Sequence, residues 1–186
     1  HIRNKTIKIV DFDNVENNKF LAVRQLWVKG WASSNRRPDI IGFVNGIPLV
    51  YIELKNPTIN VREAYDKNFK DNRDTIPKLF HYNALVILSN GRESKIGSVT
   101  GKYHHFHEWK RITEDEEGTT DLDKIIIGTC EKSRLLDLIE NFIVFDRSGG
   151  QVVKLIARNH QFIGVNKAIQ NIVYKEQLFA AGKITK

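Results

Sequence analysis

The sequence predicts an α/β fold. Three features predict it: an apolar hairpin pattern around Asn45-Gly46, a continuous apolar run at 84–89, and helical periods at 61–70 and 131–143. The hairpin organises the rest. Apolar runs stand on both sides of Asn45-Gly46, a dipeptide suited to a tight turn with positive φ. Into this apolar pair the chain places three charges: Asp39 where the first strand begins, and Glu53 and Lys55 where the second ends. Glu53 and Lys55 are two apart, so on a strand they share one face while Leu54 points to the other. Charges beside a half-buried sheet are costly unless they are paired or hold a metal.

The chemistry that fits these residues is metal-dependent phosphodiester hydrolysis. Asp39, Glu53 and the main-chain carbonyl of Leu54 make a hard oxygen donor set of the kind Mg²⁺ prefers. Lys55 is placed to position or deprotonate the attacking water and to stabilise charge on the phosphate. Parity then makes a demand on the hairpin. A two-residue loop pairs positions whose numbers sum to 91, which sets Asp39 opposite Ile52 and off the Glu53 face. A three-residue loop or a β-bulge is therefore expected, because one metal needs both carboxylates on one side.

The remaining elements follow in chain order. The start, Thr6-Ile7-Lys8-Ile9-Val10, reads as extended, and 20–28 as a strand with a slip, lying beside the hairpin. Arg36 and Arg37 end a polar loop just before Asp39 and are candidate contacts to a phosphate backbone. Asn56-Pro57 breaks the second strand, and Asn60 with Glu63 reads as the cap of a helix over 61–70. Lys67 and Lys70 on that helix are further candidate DNA contacts, with a solvated face as the plainer reading. A short helical piece at 76–81 leads to the run 84–89, a fully buried central strand bounded by Asn90-Gly91. Residues 94–101 read as an edge strand and turn, and the rest of 92–129 as irregular, with an acidic surface loop at 114–118. His104, His105 and His107 invite a zinc reading but lack a second ligand pair at metal spacing; the expectation is that Phe106 and Trp109 pack and the histidines face solvent. The amphipathic period at 131–143 predicts a helix, followed by a loop at 146–150 where a domain seam is expected. A strand at 152–157 and a helix at about 160–174 close the chain.

Composition sets outer bounds. With 41% hydrophobic and 27% charged residues over 186 positions, a soluble globular domain is expected. No stretch is long and apolar enough for a bilayer span, and no signal-peptide pattern opens the chain, so no membrane association is expected. The single Cys130 excludes an internal disulfide and points to a reducing, cytoplasmic compartment. The chain contains no Met and begins at His1, which reads as a piece of a longer polypeptide. A net charge of +7 leans toward a polyanionic partner.

Taken together, these stretches resemble the N-terminal nuclease region of the restriction (R) subunit of type I restriction-modification enzymes. The matching residues are Arg37-Pro38-Asp39-Ile40, Asn45-Gly46-Ile47-Pro48-Leu49, Ile52-Glu53-Leu54-Lys55-Asn56-Pro57, Leu79-Phe80-His81-Tyr82-Asn83, Leu88-Ser89-Asn90-Gly91 and Trp109-Lys110. The match continues through Leu138-Ile139-Glu140-Asn141-Phe142-Ile143 to Ile156-Ala157-Arg158-Asn159-His160-Gln161-Phe162. The resemblance implies a restriction-endonuclease-like PD-(D/E)xK core over 1–146, a mixed central sheet flanked by helices. Asp39, Glu53 and Lys55 would be its metal-binding and catalytic residues. It implies double-stranded DNA as substrate, methyltransferase (M) and specificity (S) subunits as partners, and residues 147–186 as linker and lead-in to an ATP-driven motor. Gln161 would contact the adenine there. The phosphate-binding Gly-x-x-x-x-Gly-Lys-Ser/Thr is absent, since Ala181-Gly182-Lys183-Ile184-Thr185 lacks the first glycine, so no ATP hydrolysis by this stretch is expected. Two departures stand out. Where many members carry Gln-x-x-x-Tyr, this chain has Lys67 and Asp71, and the nearest candidate for the family's upstream acidic residue is Glu16. Two other readings stay open: the nuclease domain of another helicase-nuclease or repair protein, and a non-catalytic DNA-docking module.

Overall fold

In a computed structural model that describes residues 8–30, 34–113 and 120–183, Asn45 and Gly46 take φ of 51° and 83°. They form a two-residue turn joining β4 (Ile40–Val44) to β5 (Ile47–Leu54). Gly46 accepts positive φ without strain, and Asn45 is secured by its side chain, which accepts from Lys19 N and donates to Ile9 O and Asn18 Oδ1. Next to the turn the pairs are Val44–Ile47 and Phe43–Pro48; beyond it they are Gly42–Val50, Ile41–Tyr51 and Ile40–Ile52. The register shifts between Gly42 and Phe43, leaving Leu49 as the extra residue. The bulge that parity demands is therefore present, and the shifted register, continued one residue, sets Asp39 opposite Glu53.

The hairpin forms the middle of a five-stranded sheet in the order β1-β4-β5-β6-β7. β1 (Phe20–Arg24) is antiparallel to β4; β6 (Leu85–Ser89) runs parallel to β5; β7 (Ser94–Gly97) is antiparallel to β6 and lies at the edge. The sheet is thus mixed. All five residues of β6 are buried, as its unbroken apolar run requires of a strand covered on both faces.

Helices cover both faces. Val50, Ile52, Leu85 and Ile87 face a core completed by α2 (Asp121–Cys130) and α3 (Lys132–Asn141), with Trp109 and Phe142. Ile41, Tyr51, Val86 and Leu88 face a second core of Val61, Tyr65, Phe69, Ile76 and Phe80. That second layer is the crossover between the two parallel strands. Its π-helical segment Ala64–Phe69 runs into α1 (Lys70–Thr75) and then into the 3-10 turn Pro77–Phe80. Asn60 caps it through Arg62 N at 2.8 Å, while Glu63 turns outward to Lys67 rather than closing a capping box.

Several expectations are corrected. The strand expected over 20–28 stops at Arg24, because Gln25 enters the left-handed region (φ 50°). The chain resumes as β2 (Val28–Lys29), paired with β3 (Asn35–Arg36) in a separate small sheet, so Arg36 sits on a strand rather than in a loop. Residues 92–129 are not irregular throughout. α2 lies there, capped by Thr120, whose Oγ1 accepts from Asp123 N at 3.2 Å. The helix expected to Ile143 ends at Asn141, since Ile143 opens β8 (Ile143–Asp146), which pairs with β9 (Val153–Ile156). The final helix, α4 (Asn159–Ala180), extends beyond the expected end and places Phe162 5.6 Å from Trp109 and 4.7 Å from Phe142. Phe106 and Trp109 pack as expected and His104 and His105 are exposed, but His107 is half-buried through its bridge to Ile96. Of the extended start, residues 6 and 7 lie outside the described residues and 8–10 form no strand; the acidic loop at 114–118 also lies outside them. Among the described residues no helix is long and apolar enough to cross a membrane.

α2 meets Trp109 with no space to spare. A Cβ at Gly128 would stand 2.1 Å from Trp109 Nε1. Gly128→Ala is expected to destabilise the fold by about 1–3 kcal/mol through overpacking, despite alanine's better helix propensity. Urea unfolding that shows Gly128→Ala equal to or more stable than the parent would refute this close packing.

Candidate active site

Asp39 and Glu53 converge at the carboxyl end of the parallel pair β5–β6, where open α/β sheets gather their functional groups. Asp39 extends the ladder beyond β4 with its side chain: Oδ2 accepts from Leu54 N at 2.8 Å. Its own carbonyl accepts from Gln25 N at 2.8 Å, so the left-handed Gln25 fixes the backbone on which Asp39 sits. Glu53 lies deeper, only 4% exposed. Its Oε2 accepts from Tyr51 OH at 2.6 Å, and Tyr51 OH accepts from Asn72 Nδ2 of α1 at 2.7 Å. Lys55 Nζ stands 3.7 Å from the other oxygen, Oε1, an ion pair longer than a hydrogen bond.

The electrostatics express this geometry. Burial pushes the Glu53 carboxyl up to about 7, and the nearby charge of Asp39 adds to it. The Tyr51 hydroxyl and Lys55 pull the other way without overcoming burial. Burial and the Glu53 charge in turn hold the Tyr51 phenol well above its ordinary value, so it stays a donor at neutral pH. Each carboxylate is thus tied through one oxygen, leaving Asp39 Oδ1 and Glu53 Oε1 as the atoms for a cation. Among the described residues no three His, Cys, Asp or Glu gather into a metal-binding group. The donor set is two carboxylates plus main chain, oxygen atoms of the kind a hard divalent ion takes, with Lys55 offsetting part of their charge. An open cleft of about 680 Å³ runs beside Asp39, walled by Arg24, Gln25, Leu54 and Lys55.

The other expected site residues lie around this centre in varied states. Arg36 is engaged by Asp71, with Nε 2.5 Å and one terminal nitrogen 3.0 Å from its carboxylate. The Arg37 guanidinium lies 5.3 Å over the ring of the exposed Trp27. Lys67 pairs with Glu63 at 2.6 Å and Lys70 with Asp66 at 2.8 Å, one helical turn apart in each case. Such exposed pairs contribute little to stability. Glu16 belongs to a 3-10 turn, Val15–Asn17, that meets α3 and does not line the cleft. Gln161 Oε1 accepts from Arg158 N at 2.8 Å and so helps cap α4.

The sequence reading missed Arg24 and Gln25, which wall the cleft, and Tyr51 and Asn72, which reach Glu53. For Tyr51 a signal exists: it stands two before Glu53 and shares its face. Asn72, one residue beyond Asp71, has no such signal, because its contact depends on the π-helical turn before it.

Comparison with known proteins gives the family of the chain. The family model described as type I restriction enzyme R protein N terminus matches residues 1–105, more than half of the chain. The chain belongs to this family. As an R-protein N-terminal chain it is 37% identical over 179 residues to the type I restriction enzyme HindI endonuclease subunit of Haemophilus influenzae, covering 90% of this chain and 17% of that protein. It is 29% identical over 194 residues to the putative MjaIXP endonuclease subunit of Methanocaldococcus jannaschii, covering 92% and 18%. With the EcoprrI endonuclease subunit of Escherichia coli it shares 27% identity over 192 residues, covering 97% of this chain and 59% of that one. The chain therefore spans less than a fifth of the first two relatives. It corresponds to the N-terminal region of type I restriction endonuclease subunits.

Proposed function

We propose that this region is the Mg²⁺-dependent nuclease of a type I restriction R subunit and hydrolyses phosphodiester bonds in double-stranded DNA. One observation carries the reading: a bulge at Leu49 brings Asp39 level with buried Glu53, with Lys55 beside them at the mouth of a cleft. A hairpin without function gains nothing from facing two carboxylates in a partly dry site. Asp39, Glu53 and the Leu54 carbonyl would hold the ion. Mg²⁺ bound there supplies Lewis-acid polarisation of the phosphate and a more acidic water.

The chain's own groups supply the rest. Asp39 Oδ2 and Glu53 Oε2 are tied back by Leu54 N and Tyr51 OH, which fixes where the remaining oxygens point. Lys55 presents its ammonium beside Glu53, where it orients the attacking water and offsets charge gathering on the phosphate. Arg24 on the cleft wall, with Arg37, reaches toward the sugar-phosphate backbone; Lys67 and Lys70 extend that contact when phosphate displaces Glu63 and Asp66. In the complete protein, residues 147–186 would connect to an ATP-driven DNA translocase whose adenine Gln161 contacts. M and S subunits would supply sequence recognition, and the assembly would work in the cytoplasm.

The experiment is made in the complete R subunit assembled with its partners. Lys55→Ala is expected to reduce DNA cleavage at least about 100-fold while DNA-stimulated ATP hydrolysis continues. Cleavage at the parental rate would sink the nuclease reading and leave a non-catalytic docking module.

A further inference from the structure

Tyr51 and Asn72 are both buried, at 1% and 6% exposure, and neither is accounted for by metal binding itself. Their hydrogen bonds form a one-way series. Asn72 can donate only through Nδ2, so the Tyr51 oxygen accepts and its single hydrogen is released to Glu53. A Glu53 carboxylate can only accept, which fixes the same direction from the other end. The phenol ring has little freedom to turn away, with Phe69 and Phe80 at centroid distances of 5.8 and 5.1 Å. The helix is shaped to deliver the amide: a π-helical segment ends at Phe69, and Asn72 follows three residues later on the same inward face.

A buried tyrosine needs some partner for its hydroxyl, and a backbone carbonyl would serve. Here the partner is the one oxygen of Glu53 that Lys55 does not approach. Resting on the metal-site reading above, we propose that Asn72 and Tyr51 are positioning residues: a relay from α1 that ties off Glu53 Oε2 and thereby presents Oε1 to the metal. Supporting partners of this kind govern how firmly a carboxylate ligand is oriented, and their loss typically weakens metal binding about 10–100-fold.

The test is calorimetric titration of Mn²⁺ into the parent chain, Tyr51→Phe, Asn72→Ala and the double variant, with Glu53→Gln as reference and metal-free melting curves for all. Tyr51→Phe is expected to weaken Mn²⁺ binding about 10–100-fold. Asn72→Ala is expected to weaken it in the parent but to have no further effect in Tyr51→Phe, because it acts through the hydroxyl. A merely structural pair would lower the melting temperature and leave Mn²⁺ affinity unmoved. Mn²⁺ heats that vanish in Glu53→Gln but persist unchanged in Tyr51→Phe overturn the relay alone, as does an equal Asn72→Ala effect in both backgrounds. No Mn²⁺ binding by the parent chain overturns the metal site and the relay with it. Should Tyr51→Phe fail to fold, unaltered affinity in Asn72→Ala still overturns the proposal.

Discussion

Glu53→Gln is expected to abolish DNA cleavage and at the same time stabilise the metal-free protein above neutral pH. The loss follows from removing a carboxylate of the proposed metal site and should exceed about 100-fold in the complete enzyme. The stabilisation follows from linkage. The folded-state carboxyl of Glu53 is raised by burial from 4.5 to about 7, so between those values the folded protein holds a proton that the unfolded chain has lost. The contribution of Glu53 is fully present below about pH 4.5 and disappears as pH rises through about 7. At about 1.36 kcal/mol per pH unit the difference comes to about 3 kcal/mol, or roughly 6–12 °C in melting temperature for a chain of this size. Glutamine carries no charge and escapes this loss. The stability of parent and variant is therefore expected to diverge from pH 5 to pH 8. Parallel curves over that range would show that Glu53 is not desolvated as the structure places it. Activity and stability moving in opposite directions is what distinguishes a functional buried carboxylate from a structural one.

Phe69→Ala carries the largest expected loss of stability, about 3–5 kcal/mol. Phe69 is wholly buried and its ring meets Tyr51, Tyr65, Phe80 and Phe106 at centroid distances between 5.5 and 6.1 Å. Its removal leaves a cavity under the sheet face that carries Glu53, which neighbouring rings cannot fill without leaving their own contacts. Urea denaturation gives the value directly, and a cost below about 1 kcal/mol would mean that this core is loosely packed. Because the cavity opens beside the Tyr51 ring, Glu53 should lose order along with the global stability.

Much of this was legible in the sequence where one local rule was enough. Asn45-Gly46 announced its turn, the run 84–89 announced a doubly covered strand, and the need for Asp39 and Glu53 to share a face announced the bulge. Legibility failed where tertiary contacts override local preference. α2 contains the β-branched Ile125-Ile126-Ile127 followed by Gly128, a poor helix sequence held by burial of Ile125 and by Trp109 packed on Gly128. Its readable signal was Thr120 with Asp123 three residues later. β8 was hidden because Ile143 continues the apolar stripe of α3, and only the pairing with β9 decides the boundary. At the candidate site, residue types and spacing pointed to Asp39, Glu53 and Lys55, which the structure brings together. The engagement of Arg36 by Asp71, and the reach of Asn72 to Tyr51, join segments more than twenty residues apart and leave no local trace.

The most direct measurement is titration of Mn²⁺ into the parent chain and Asp39→Asn at pH 8, with melting curves for both. One Mn²⁺ should bind the parent and fail to bind Asp39→Asn, whose melting temperature should change little because asparagine can still accept from Leu54 N. Equal heats from the two proteins, both folded, would contradict a metal site shared by Asp39 and Glu53.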